Sequence, residues 1–256
     1  MIKAGVPGAV TWVDLSTPDI EAAVAFYREL LAWTDVEESE TPMGKYYIGK
    51  VGERQAGGLM GQGPELAGNP ATWTMFIYVD DLEVAVTKAG DAGGAVLQEP
   101  FDIPGGARIA VIADPTGAMM GLFAGPEIEG EFFSPDPGRV CWTELLTRDP
   151  ATAEGFYADM FGWKAQTDDA SGTVYTVFKL GEEMAAGMMM MPDQVPAEAP
   201  AHWSAYFTVD DCHVTEARAV ELGGKILVGT KTIDMGKFAV LSDSQGAVFN
   251  IMEYTE

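Results

Sequence analysis

The chain is poor in the residues on which metal enzymes, secreted scaffolds and nucleic-acid binders depend. Its 256 residues include two cysteines, two histidines and 15 Lys plus Arg against 39 Asp plus Glu, a formal net charge of −24. Cys141 and Cys212 occupy unmatched positions and form neither a zinc spacing nor a disulfide framework, so they are expected as packing residues in a reduced cytoplasm. Without clustered bases the surface repels phosphate backbones and anionic lipid, which excludes nucleic acid and membrane as partners. No apolar run is long enough to span a bilayer. The stretch Met1 to Gly5 has no signal-peptide core, and a cytoplasmic location is expected. The acidity serves solubility and would also concentrate a cationic ligand.

What is present is globular and doubled. Hydrophobic residues make up 47% and aromatics 10%, and the length suits two domains that each bury a core. The run Trp12, Val13, Asp14, Leu15, Ser16, Thr17, Pro18, Asp19 returns as Trp142, Thr143, Glu144, Leu145, Leu146, Thr147, Arg148, Asp149, a shift of 130 residues. The same shift carries Phe26-Tyr27 onto Phe156-Tyr157, Trp33 onto Trp163, Trp73 onto Trp203, and Asp80-Asp81 onto Asp210-Asp211. Asp114 and Gly117 match Asp243 and Gly246 at a shift of 129, as a fused duplication would after one slip.

Each half reads as strand, helix and several strands, twice over. Val10 to Leu15 is a β-branched and aromatic strand. Ala22, Ala23, Phe26, Tyr27, Leu30 and Leu31 recur at helical spacing behind the capping segment Thr17 to Asp19. Strands are expected at Tyr46 to Val51, Gly57 to Met60, Trp73 to Val79, Arg108 to Ile112 and Met119 to Phe123. A helix opens at Asp80-Asp81 and stops at Gly93-Gly94. Trp12 and Trp73 mark equivalent strand starts 61 residues apart. The chain thus holds four βαβββ units, an α+β fold. The boundaries expected are a first domain over 1–125, a Pro- and Glu-rich linker over 126–138 and a second domain over 139–256. Two Pro/Ala/Gly-rich loops, 62–71 and 192–201, link the units inside each half.

These residues resemble the vicinal oxygen chelate superfamily of glyoxalase, bleomycin-resistance and extradiol dioxygenase proteins. The carrying motifs are Trp-Val-Asp-Leu-x-Thr-x-Asp from Trp12 and Trp-Thr-Glu-Leu-x-Thr-x-Asp from Trp142, each followed by Ala-x-x-Phe-Tyr. The Val-Asp-Asp helix starts and the Asp-Pro-x-Gly turn at Asp114 complete the pattern; the second half departs at that turn with Asp243-Ser244-Gln245-Gly246. The resemblance implies two tandem glyoxalase-like domains whose curved, mixed sheets form cups. It also implies metal ligands on the inner faces, and these positions fall on Trp12, Thr74 and Gly121 in one half and on Trp142, Ser204 and Asn250 in the other. None carries an imidazole or carboxylate. A catalytic divalent ion needs about three such ligands, so neither a metal nor another cofactor is expected. His213 reads as a surface residue, and His202 as a strand-end residue able to reach a cup mouth.

Strand side chains alternate, so the first cup is expected to show Trp12, Asp14, Thr74, Phe76, Tyr78, Met119 and Phe123. The second would show Trp142, Glu144, Ser204, Tyr206, Val248, Asn250 and Met252. This mixture suits a flat organic ligand held by stacking and oriented by a few hydrogen bonds; plain core packing is the other reading. A carboxylate on an apolar face is costly unless paired or used, which makes Asp14 and Glu144 the candidate catalytic or cation-binding groups. Their structural alternative is pairing with a nearby Arg or Lys, for example the matched cations Arg108 and Lys237. The run Met188 to Met191 is read as gap-filling, two side chains on each face. Three functions stay open. The first is a metal-independent binder of a small aromatic or largely apolar metabolite. The second is an isomerase, lyase or hydroxylase-like enzyme on an aromatic or polyketide-like substrate, with Asp14 or Glu144 as base. The third is a ligand-free interaction protein. The expected assembly is a monomer with an internal pseudo-dimer, or a homodimer.

Overall fold

Four helices start at an aspartate that follows a strand, and the reason is the same each time. The side chains of Asp19, Asp81, Asp149 and Asp211 accept hydrogen bonds from the backbone N–H three residues on, at 3.1, 3.0, 3.1 and 2.9 Å. This satisfies one of the orphan donors of the first turn and places negative charge at the positive helix end. The computed structural model describes residues 2–41, 43–66, 68–126, 131–169, 174–193 and 195–255. Residues 127–130 of the expected linker lie outside them, as do residues 67 and 194 of the two loops.

The first half runs β1 (Val10–Thr17), α1 (Ile20–Leu30), β2 (Asp35–Thr41), β3 (Gly44–Val51), β4 (Arg54–Gly61), β5 (Thr72–Tyr78), α2 (Leu82–Asp91), β6 (Ala95–Ile103), β7 (Ala107–Ala113) and β8 (Met119–Ala124). The second half repeats it as β9 (Val140–Thr147), α3 (Pro150–Phe161), β10 (Lys164–Asp168), β11 (Tyr175–Leu180), β12 (Glu183–Met190), β13 (His202–Thr208), α4 (Cys212–Glu221), β14 (Lys225–Ile233), β15 (Gly236–Ser242) and β16 (Val248–Tyr254). Two eight-stranded sheets result, in the order β2-β3-β4-β1-β5-β8-β7-β6 and its counterpart β10-β11-β12-β9-β13-β16-β15-β14. The α+β architecture of four βαβββ modules is the one the repeat implied. Among the described residues no helix is long and apolar enough to cross a membrane.

Packing groups the modules into two compact units that combine segments from both halves. Unit 1 comprises Met1–Trp12, Met75–Phe132 and Thr143–Trp203; unit 2 comprises Val13–Thr74, Phe133–Trp142 and Ser204–Glu256. In unit 1, Trp203 Nε1 donates to the Tyr157 hydroxyl at 2.9 Å, which donates to Asp114 Oδ2 at 2.8 Å. Trp163 stacks on Tyr157 at 5.5 Å and donates its Nε1–H to the Gly8 carbonyl at 2.8 Å. Unit 2 repeats the chain of donors. Trp73 Nε1 donates to Tyr27 at 3.0 Å, Tyr27 donates to Asp243 Oδ2 at 3.1 Å, and Trp33 Nε1 reaches the Gly138 carbonyl at 2.9 Å. Burial, with the neighbouring carboxylate, pushes both tyrosine phenols well above their ordinary range. A buried hydroxyl satisfied on both sides fixes one packing geometry, because losing either partner strands a polar group. The Phe-Tyr pairs and the matched Trp33, Trp73, Trp163 and Trp203 are therefore core.

The methionine run departs from simple alternation. Met188 and Met191 are buried, Met189 is half-buried and Met190 is exposed. From Ala185 to Met188 both faces of β12 are covered, and the strand emerges to solvent only at Met190.

Candidate functional site

In β1 the odd positions Val13 and Leu15 are fully buried, whereas Asp14 and Ser16 are half-buried on the opposite face. In β5, Trp73, Met75 and Ile77 are buried and Thr74 and Tyr78 half-buried, with Phe76 more covered at 5% exposure. The period of two separates Asp14 in β1 and Thr74 and Tyr78 in β5 from their buried neighbours, whereas Trp12, Phe76, Glu144 and Ser204 are buried along with theirs.

Within unit 1, Phe76 lies opposite Gly121 across the parallel β5–β8 pair. A Cβ at Gly121 would stand 2.1 Å from the Phe76 ring, so no side chain fits there without moving the ring. Tyr78 lies 6.2 Å from Phe123 and donates to the Gly125 carbonyl at 3.3 Å; Trp12 lies 5.9 Å from Phe132. Met119 is exposed. The same unit holds Glu144, 5% exposed, in register with Gly187. His202, the first residue of β13, is half-buried with Nδ1 3.0 Å from the Pro200 carbonyl oxygen.

Within unit 2, the Tyr46 hydroxyl donates to Asp14 Oδ1 at 2.7 Å. Asp14 pairs in register with Gly58, where a Cβ would lie 2.0 Å from both Asp14 Oδ1 and the Tyr46 oxygen. Only a glycine leaves room for that contact. Ser16 Oγ and Gln62 Oε1 are buried atoms without a hydrogen-bond partner among the described residues. Trp142 is half-buried 5.9 Å from Phe133, and Tyr206 lies 6.4 Å from Phe238. Asn250 Nδ2 donates to Ser204 Oγ at 2.6 Å and to the Ala205 carbonyl at 3.4 Å, both side chains being buried. Met252 is buried beside them in β16, and Val248 is exposed.

Arg108 and Lys237, the matched cations, each bind other carboxylates. Arg108 binds Glu83 at 2.7 Å and Asp102 at 3.1 Å, and Lys237 binds Glu253 at 2.6 Å. Register explains this: Asp102 is the cross-strand partner of Arg108, and Glu253 that of Lys237. His213 is an exposed residue of α4, 3.5 Å from Glu216. Cys141 and Cys212 are buried thiols whose pKa burial raises, Cys212 to about 11, so neither is a ready nucleophile.

Tyr46, Gly58, Ser16 and Gln62 are absent from the residues singled out by sequence. Tyr46 and Gly58 lie within expected strands, but their meeting with Asp14 depends on the parallel β1–β4 register, which no local pattern encodes. The nearest signal was the matched geometry of the second half. There, Tyr175 pairs with Met189 and Glu144 with Gly187, as Tyr46 pairs with Met60 and Asp14 with Gly58.

The paired βαβββ modules and their candidate faces define a tandem glyoxalase-like protein. Residues 9–122 match the family model described as Glyoxalase/Bleomycin resistance protein/Dioxygenase superfamily, and residues 140–252 match that of a Glyoxalase-like domain. The chain belongs to this superfamily. It is 35% identical over 251 residues to a protein of Mycobacterium tuberculosis named as a glyoxylase, CFP32, covering 96% of this chain and 95% of that one. It is 33% identical over 262 residues to the anthracycline biosynthesis protein DauV of a Streptomyces species, covering 98% and 94%. In fold it is similar to the Mn(II)-bound glyoxalase of Novosphingobium aromaticivorans, with a TM-score of 0.63 at 16% identity over 98% of this chain and 83% of that one.

The donor set at the superfamily's ligand positions does not fit a divalent ion. Trp12, Thr74 and Gly121 offer one hydroxyl among them. In the second half Ser204 and Asn250 bond to each other, and Trp142 offers no metal-binding atom. Among the described residues no group of three or more His, Cys, Asp or Glu is gathered that would hold a metal.

Proposed function

We propose that the protein binds a small, flat, largely apolar aromatic metabolite of the aromatic-polyketide kind, and does so without the superfamily's divalent metal. One observation carries the reading. Where relatives of the superfamily would place chelating side chains, this chain has rings, hydroxyls and a glycine overlaid by the Phe76 ring. Aromatic side chains give a planar ligand a large stacking area at little entropic cost, and a few polar groups orient it. The name of DauV, a relative matched over nearly its whole length, supports an aromatic polyketide as the class to try first.

The test is a titration of purified protein with hydroxylated anthraquinones, following tryptophan fluorescence, with and without prior chelator treatment. Saturable quenching that survives the chelator and weakens in Phe76→Ala is expected. Quenching that needs added Mn(II) or Zn(II), or no saturable binding at all, would overturn the proposal.

A second reading has its own observation, the 2.7 Å bond from Tyr46 to Asp14. A half-buried carboxylate that accepts a hydrogen bond from a phenol could serve as a general base, with the tyrosine as its acid partner. An enzyme of this kind would convert its substrate without metal, and Asp14→Asn would abolish turnover while leaving binding measurable.

A further inference from the structure

The two halves carry the same fold but treat their matched faces differently. In the second half, Ser204, Asn250 and Met252 are buried, and the serine and asparagine satisfy each other. Glu144 is 5% exposed, and the positions matching Ser16 and Gln62 are Leu146 and Met191, the latter donating its N–H to the Thr147 carbonyl as Gln62 does to Thr17; neither side chain carries a hydroxyl or an amide. In the first half, Asp14, Ser16 and Thr74 are half-buried. Ser16 Oγ and Gln62 Oε1 lack any hydrogen-bond partner among the described residues, although the rest of the Gln62 amide is anchored by its Nε2–H to the Pro70 carbonyl at 3.1 Å. That anchor fixes the amide with its oxygen, an acceptor only, as the group left over. The backbone sets it close to β1, since the Gln62 N–H donates to the Thr17 carbonyl at 2.8 Å, one residue beyond Ser16.

A buried acceptor left unsatisfied costs about 1–3 kcal/mol, and such a cost is withdrawn when a ligand supplies the missing donor. We infer that the first half is the ligand-binding half, and that Ser16 and Gln62, beside the Asp14 carboxylate, recognise hydrogen-bond donors on the ligand. The ligand class is an aromatic compound bearing hydroxyl or ammonium groups, and a chain of net charge −24 favours both over an anion. The second half keeps the fold with its own side chains filling the matched positions. This rests on the aromatic-metabolite reading above and narrows it to one half and one donor pattern.

Three probes at pH 6 test it by calorimetry: 2,6-dihydroxyanthraquinone, 2-(aminomethyl)anthraquinone and 2,6-dimethoxyanthraquinone, the last lacking donors. One molecule per chain is expected. The dihydroxy or the amino compound should bind at least about tenfold more tightly than the dimethoxy compound, and whichever does so identifies the donor. Ser16→Ala and Gln62→Met should each weaken the preferred probe about fivefold. The thermal midpoint stays unlowered in Ser16→Ala, whose oxygen is unpaired in the free protein, and falls slightly in Gln62→Met, which also loses the bond to the Pro70 carbonyl. Equal affinity for all three probes, two molecules bound per chain, or wild-type affinity in both variants would overturn the inference while leaving an aromatic binder standing. Failure of all three probes to bind would sink the broader proposal and this one with it.

Discussion

At the residue scale, Gly58 is a position that tolerates no side chain as the pair around it stands. Its lack of a side chain is what lets the Tyr46 hydroxyl reach Asp14, and any Cβ would collide with both oxygens at 2.0 Å. Gly58→Ala should therefore destabilise the protein by about 1–3 kcal/mol, as overpacking does, with a matching fall in the urea midpoint; an unchanged midpoint would show that the pair moves aside freely. A second residue-scale expectation concerns pH. Burial raises the Asp243 carboxyl above its ordinary range in the folded protein, against hydrogen bonds from Ala247, Gln245 and Tyr27 that lower it. A folded-state pKa above the unfolded one means the native chain holds that proton more tightly. Its stabilising contribution is then full below the unfolded pKa and is lost as pH rises through the folded one. Wild type should accordingly lose stability relative to Asp243→Asn on going from about pH 3.5 to about pH 6, read from urea midpoints at both pH values. A relative gain over that interval would contradict the assignment. The faces of Asp14, Thr74 and Tyr78 were legible because alternation alone gives them. Tyr46 was not, because its role comes from a pairing register.

At the element scale, the strands that escaped sequence reading share one property. β2, β6, β10 and β14 are largely exposed, and their side chains alternate poorly between apolar and polar. Periodicity reports burial on one face, so a strand with solvent on both sides of its pleat leaves no such imprint. The helices were legible for the opposite reason: each has an aspartate cap and a buried stripe. The outermost strands β6 and β14 also differ chemically. β6 carries Glu99, Pro100 and Asp102, all of which discourage pairing with another chain. β14 has no acid or proline between Lys225 and Ile233 and exposes Ile226, Leu227 and Val228 at 42%, 50% and 39%. Exposed apolar edges template aggregation, and the only charges on β14 are Lys225 and Lys231 at either side of this run. Leu227→Glu should delay the rise of light scattering on heating without lowering the unfolding temperature; unchanged scattering would place the aggregation-prone segment elsewhere.

At the scale of the whole molecule, the duplicated sequence announced four modules but not their grouping, because repetition reveals which segments are alike and not which segments touch. Unit 2 gathers 13–74 with 204–256, and unit 1 gathers 75–132 with 143–203. Such distant partners must close long loops before their contacts form, which slows folding. Fragment 1–125 expressed alone should therefore lack cooperative unfolding, and a sharp urea transition in it would refute this. Cleaving the backbone between the two repeats would consequently yield not a pair of autonomous proteins but two complementary pieces. Each would be an unfinished template until it met the other, so anything that separates them during synthesis exposes both to misassembly.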